Sequence, residues 1–164
     1  MNATSRLNWL RWWWPALLWA TLIFSFSTDA FSGENTSRVL IPFLHWLFPH
    51  SRWETLAIAH LVIRKCAHLT EYCLFGILIL RGIRAGRPGW QWSWTFTALA
   101  AAAGWAGLDE LHQAFVPSRG PSFIDVMIDT CGAIVGQLAY AAAVLLHSRR
   151  SRERRGVDSS EPIV

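Results

Sequence analysis

Charge is scarce in this chain. Only 16% of its 164 residues are Asp, Glu, Lys or Arg, while 52% are hydrophobic and 11 are Trp, with a mean hydropathy of +0.25. That balance excludes an ordinary soluble domain of this size. The three cysteines, Cys66, Cys73 and Cys131, show no CxxC spacing. They fall in apolar runs, where buried free thiols are expected rather than a disulfide or a metal centre. There is no HExxH, no serine in a nucleophile elbow and no glycine-rich phosphate loop. No internal repeat or low-complexity tract is visible, so nothing suggests a duplicated transporter half.

The apolar residues form four blocks, 9–26, 56–80, 92–108 and 126–146. Each approaches the ~20 residues with which an α-helix crosses a ~30 Å hydrocarbon core. The expected fold is an all-α, integral membrane four-helix bundle over residues 1–148, its motif-bearing part at about 56–146. A polar, basic tail follows at 149–164. Ten of the 15 basic residues lie in three places. They are Arg6 and Arg11; Arg81, Arg84 and Arg87; and Arg149, Arg150, Arg152, Arg154 and Arg155. Four spans put those three regions on one side, so the positive-inside rule makes both termini cytoplasmic. Beside a spanning helix, the arginine-rich tail reads as a lipid-facing anchor, and no nucleic acid partner is expected.

Arg6 and Arg11 precede the first block and Thr28-Asp29-Ala30 faintly resembles a cleavage site. Trp12, Trp13, Trp14 and Trp19 nevertheless suit a retained, interface-anchored helix better than a cleavable one. The stretch IPFLHWLFP, between Pro42 and Pro49, is too short to span and reads as an interfacial or re-entrant segment or a plain loop. Gly and Pro mark a turn in RGIRAGRPG. Pro117, Gly120 and Pro121 define a sharp connection in VPSRGPS.

Against this apolar background, ionisable groups recur at helix positions, where they are costly unless they serve a site or pair with each other. At ~1.5 Å per residue, Lys65 lies about 24 Å, His68 about 20 Å and Glu71 about 15 Å from the level of Arg81. The next block rises to Asp109, Glu110, His112 and Gln113, and the last descends through Asp125 and Asp129. Three helices thus bring polar groups to one outer level. Lys65, His68 and Tyr72 fall within about 60° on their helix, with Glu71 flanking. Asp125 and Asp129 share a face with Gly132 and Gly136, a small-xxx-small pair that admits a close neighbour. The alternative is that Lys65 and His68 pair with Asp125, Asp129 or Glu71 only to hold the helices together.

RKCAHLTEYCLFGILIL, followed by LDELHQAFVPSRGPSFIDVMIDTCGAIVG, resembles the VanZ-like family of small bacterial membrane proteins. Lys65, His68, Glu71 and Tyr72 stand in the first motif. Asp109, Glu110, Gln113, Arg119, Asp125, Gly132 and Gly136 stand in the second. Asp129 falls where the family pattern often has Asn. The family is named after a protein associated with low-level resistance to the glycopeptide teicoplanin. The resemblance therefore implies a multi-pass protein of the bacterial cytoplasmic (inner) membrane in a cell-envelope setting, without supplying a reaction.

Three functions remain open. In the first, Lys65, His68 and Arg119 hold a phosphate or carboxylate of a membrane lipid or lipid-linked envelope precursor in an outer-leaflet pocket. Asp109, Glu110 and Gln113 orient those cations or take the ligand's polar groups, and Glu71, Tyr72, Asp125 and Asp129 complete the ligand-binding set. The second is an intramembrane hydrolase or transferase acting on such a lipid. His68 or His112 is then acid or base, oriented by Glu71, Asp109 or Glu110. These are also metal-ligand types, but their spacing matches no metal motif, and neither metal nor cofactor is expected. The third is a structural accessory subunit. His45, His50, His60 and His147 fall in loops or near interfaces and read as incidental.

Overall fold

The computed structural model describes the backbone of residues 3–158 and the side chains of residues 9–147. The side chains of Arg6 and of Arg149, Arg150, Arg152, Arg154 and Arg155 lie outside the described residues. The chain is all-helical there, with five helices and no strand. These are α1 (Ala3–Phe26), α2 (Gly33–Leu47), α3 (Trp53–Arg84), α4 (Trp92–Gln113) and α5 (Phe123–Asp158). Two of them, α3 and the Phe123–His147 part of α5, are long and apolar enough to cross a membrane. The four apolar blocks correspond to α1, α3, α4 and α5. No break in α5 marks residue 148, so the change there is one of composition and not of secondary structure.

The region around IPFLHWLFP is not a loop but part of the 15-residue α2. Its start follows ordinary capping. Ser32 Oγ accepts from the Asn35 backbone N–H at 3.2 Å, and Arg38 donates to Glu34 one turn earlier at 2.6 Å. Reading inward from Pro42 and Pro49 hides this, because Pro42 lies inside the helix. α2 packs on α3, and Leu44 of α2 and Leu56 of α3 are both buried. Thr36 Oγ1 lies 3.1 Å from His60 Nε2, and His45 stacks on Trp53. His60 is thus a buried contact inside α3.

The core runs between α1, α3, α4 and α5. On α4, Ala98, Ala102 and Ala106 recur every fourth residue and are fully buried, which brings neighbouring backbones close. α5 packs chiefly on α3. A Cβ on Gly132 or Gly136 would run into the backbone carbonyl oxygens of Leu69 and Cys73, respectively. The face holding Asp125 and Asp129 is therefore also the packing face. The cysteines depart from expectation, since Cys66 and Cys131 are exposed and only Cys73 is partly covered.

The two ends of the bundle differ in chemistry. At one, Arg81, Arg84 and Arg87 lie over rings from three other helices. Arg81 covers Trp12 at 5.1 Å, Arg84 covers Tyr140 at 6.0 Å and Arg87 covers Trp94 at 4.6 Å. The chain turns there through Ala85, at φ 47°, and Gly86, at φ 74°. At the other end the buried stripe of α4 changes from alanine to Asp109, Glu110 and Gln113.

Candidate functional site

α3 supplies two adjacent stripes to the polar end. Arg64, His68 and Glu71, spaced i, i+4, i+7, share one face. They line a cavity of about 230 Å³ with Asp109 and Gln113 of α4, Arg119 of the α4–α5 connection, and an apolar wall of Ile23, Phe26 and Phe31. A second cavity of about 210 Å³ shares Arg64, His68, Gln113 and Arg119 and adds Lys65, Ser118 and Asp125. The shared residues make these two lobes of one site.

Some of the charges already have partners. Lys65 is ion-paired with Asp125. His68 Nδ1 stands 3.3 Å from Asp129 Oδ1, off hydrogen-bond geometry. Asp125 sits in the first turn of α5, where the helix dipole also favours an acid. These contacts tie α3 to α5 and match the pairing alternative for Lys65 and His68.

The guanidinium groups are in a different state. Neither Arg64 nor Arg119 has an acid within ion-pair reach among the described residues. Arg119 Nη2 donates to the Phe26 carbonyl at 2.7 Å, and its Nε is buried without a partner. Burial holds the Arg119 guanidinium below its ordinary pKa, and the nearby Arg64 charge pushes the same way. Asp109 is only 6% exposed. Its Oδ2 accepts from Gln113 Nε2 at 2.9 Å, while Oδ1 has no partner. Glu71's carboxylate makes no hydrogen bond or ion pair among the described residues.

Of the residues singled out from sequence, Lys65, His68, Glu71, Asp109, Gln113, Arg119 and Asp125 line one or both lobes. Tyr72, Glu110, His112 and Asp129 line neither. Tyr72 is wholly buried, edge-on to Phe75. Glu110 Oε2 accepts from the Ser122 backbone N–H at 2.6 Å, anchoring the connection just before α5. His112 packs against Phe24 with its Nδ1 3.4 Å from Ser27 Oγ. Asp129 stands behind His68 and is 1% exposed. Among the described residues, no three His, Cys, Asp or Glu side chains group as a set able to hold a metal ion.

Sequence reasoning missed Arg64, Ser27 and Thr36. Arg64 was legible in principle, since it begins the i, i+4, i+7 series ending at Glu71. The end of its side chain lies against Gly33. Ser27 and Thr36 come from α1 and α2 regions whose contact with the cavity depends on packing alone.

No curated protein and no solved structure matches this chain. The model of the VanZ/LLP1 family matches residues 12–146, which take in every residue of both lobes, and the chain belongs to that family.

Proposed function

We propose that this VanZ/LLP1 protein is a multi-pass protein of the bacterial cytoplasmic membrane. In this reading its polar cavity binds an anionic group of an envelope lipid or lipid-linked cell-wall precursor at the outer leaflet. The observation that carries it is the pair Arg64 and Arg119, which line both lobes without an acid partner while Lys65 and His68 have theirs. Two like charges on one cavity repel, and an anion between them relieves that repulsion through charge-assisted, bidentate hydrogen bonds. The apolar wall of Ile23, Phe26 and Phe31 suits an amphiphile better than a free ion.

The membrane reading rests on the distribution of apolar surface. Leu17, Leu18, Ile58, Val62, Val135 and Leu138 are all exposed, which water disfavours and lipid accepts. In the full arrangement α1, α3, α4 and α5 cross, and residues 1–148 form the membrane domain. α1 and α4 are not among the helices that hydropathy alone marks as spans, but both are rich in Trp, which is at home at membrane interfaces. α2 lies along the outer interface with Val39, Phe43 and Trp46 exposed to it. Both termini, and the 149–164 tail, are then cytoplasmic. A reporter fused after Arg155 is expected on the cytoplasmic side and one inserted near Ser118 on the opposite side. Both reporters on one side would rule out four spans.

Mass spectrometry of lipid co-purified from membranes tests the binding. Relative to the native chain, Arg119→Lys is expected to retain about tenfold less lipid, because a point charge cannot replace the guanidinium fork. Arg64→Ala should add to the loss. Undiminished lipid in the double variant would end the reading.

One contact favours a second reading, an intramembrane hydrolase or transferase. Ser27 Oγ, on the cavity wall, lies 3.4 Å from His112 Nδ1, the pairing by which a base activates a nucleophile. Turnover of envelope lipid by purified protein, lost in Ser27→Ala, would replace binding with catalysis.

A further inference from the structure

Resting on the binding reading above, we infer that the ligand is an amphiphile whose head carries both a phosphate and a primary ammonium. It reaches the site sideways from the bilayer, through a crevice between α1 and α3.

The charges of the first lobe point to the head. Arg64 and Arg119 face it together with the carboxylates of Glu71 and Asp109. Glu71 makes no side-chain hydrogen bond or ion pair among the described residues, and Asp109 keeps one buried oxygen unpartnered. A purely anionic head would answer the guanidinium groups and leave both carboxylates beside added negative charge. A head with a phosphate and an N–H-bearing ammonium gives each sign its complement. Such an ammonium also offsets the desolvation of a carboxylate held at membrane depth.

The route is a separate observation. A crevice of about 370 Å³ shares Ala67 and Glu71 with the first lobe and is otherwise lined by Trp19, Ile63, Cys66, Thr70 and Leu74. Among the described residues that line it, Glu71 alone is charged. Of the two shared residues, Ala67 offers little bulk, and the Glu71 backbone carbonyl accepts from Trp19 Nε1 at 2.9 Å, which ties α1 to α3 there. Acyl chains can stay in hydrocarbon along this crevice while the head passes Ala67 to reach Glu71. A soluble anion would instead use the second lobe, which is bordered by Ser118 and Gly120 of the connection.

The test uses the full chain in phosphatidylcholine nanodiscs, whose quaternary ammonium has no N–H to donate. They are doped with phosphatidylethanolamine or phosphatidylglycerol, or left undoped with inorganic phosphate added. The readout is the rate at which a maleimide alkylates Cys66, followed by peptide mass spectrometry, with Cys131, exposed on α5, as internal reference. Phosphatidylethanolamine is expected to slow Cys66 alkylation about fivefold relative to phosphatidylglycerol, leaving Cys131 unchanged. Glu71→Gln should erase that preference, and Ala67→Trp, which adds bulk at a residue lining both the crevice and the first lobe, should erase it too. Equal protection by both lipids, protection by inorganic phosphate alone, or a preference that survives Glu71→Gln would overturn the inference. If Arg119-dependent lipid co-purification persists while Cys66 ignores phosphatidylethanolamine, only this inference falls. Loss of that co-purification removes the binding reading and this inference together.

Discussion

Gly136→Val is expected to leave little correctly assembled protein. The helix pair α3 and α5 makes the largest contact in the molecule, and it depends on backbone meeting backbone. A Cβ at Gly136 would overlap the Cys73 carbonyl oxygen, and one at Gly132 the Leu69 carbonyl oxygen. On the other side, a Cβ at Gly76 of α3 would lie 2.7 Å from the Ala133 carbonyl oxygen. A flexible side chain could rotate away, but a helix backbone cannot, so valine must push the helices apart. Overpacking alone costs about 1–3 kcal/mol. Separation also breaks the Lys65–Asp125 and His68–Asp129 contacts. Gly104→Val is the matched control, since a Cβ there meets nothing within 4 Å. Size-exclusion profiles and thermal unfolding in detergent should show aggregation or a much lower Tm for Gly136→Val and near-native behaviour for Gly104→Val. Equal behaviour of the two would mean that α3 and α5 do not pack in this way.

Asp125→Ala is expected to destabilise the protein by about 3 kcal/mol, by stranding Lys65. The loss is at the low end for a broken buried pair because the Lys65 side chain keeps 33% of its surface exposed. Exchanging the two residues, Lys65→Asp with Asp125→Lys, should restore part of the loss only. The pair re-forms, but a cation in the first turn of α5 opposes the helix dipole by about 0.3–1 kcal/mol. Replacing both by Met removes two desolvation penalties along with the attraction and should come close to the native Tm. A Tm for Asp125→Ala indistinguishable from native would show that this pair does not hold α3 to α5. Lipid retention measured on the double Met variant separates the roles further. If Lys65 only ties helices, that variant should keep its ligand, whereas loss of ligand at native Tm would put Lys65 among the ligand's contacts.

Much of this architecture is legible in the amino-acid sequence. Hydrophobic length marks α1, α3, α4 and α5, because an apolar run of that size admits few conformations. Helical periodicity puts Asp125, Asp129, Gly132 and Gly136 on one face of α5 and Lys65, His68 and Glu71 on one side of α3. The 100° step is a property of the helix itself, so such angles can be read within any single helix. The Ser32 cap and the Glu34–Arg38 pair of α2 are passed over when the stretch is read from Pro42 and Pro49.

What tertiary structure alone decided is which groups meet. The rotation of α3 against α5 gives Lys65 to Asp125 and His68 to Asp129, and leaves Arg64 and Arg119 as the guanidinium groups facing the cavity. A rotation of one residue step would have dealt those partners differently with no change in sequence. The same packing turns Glu110 away to hold Ser122, buries Tyr72 beside Phe75, and leaves Cys66 on the outside of α3. Depth along a helix depends on the chain's own rise and is local. Partnership depends on the relative rotation and register of two helices, which are set where Gly132 and Gly136 let the backbones touch.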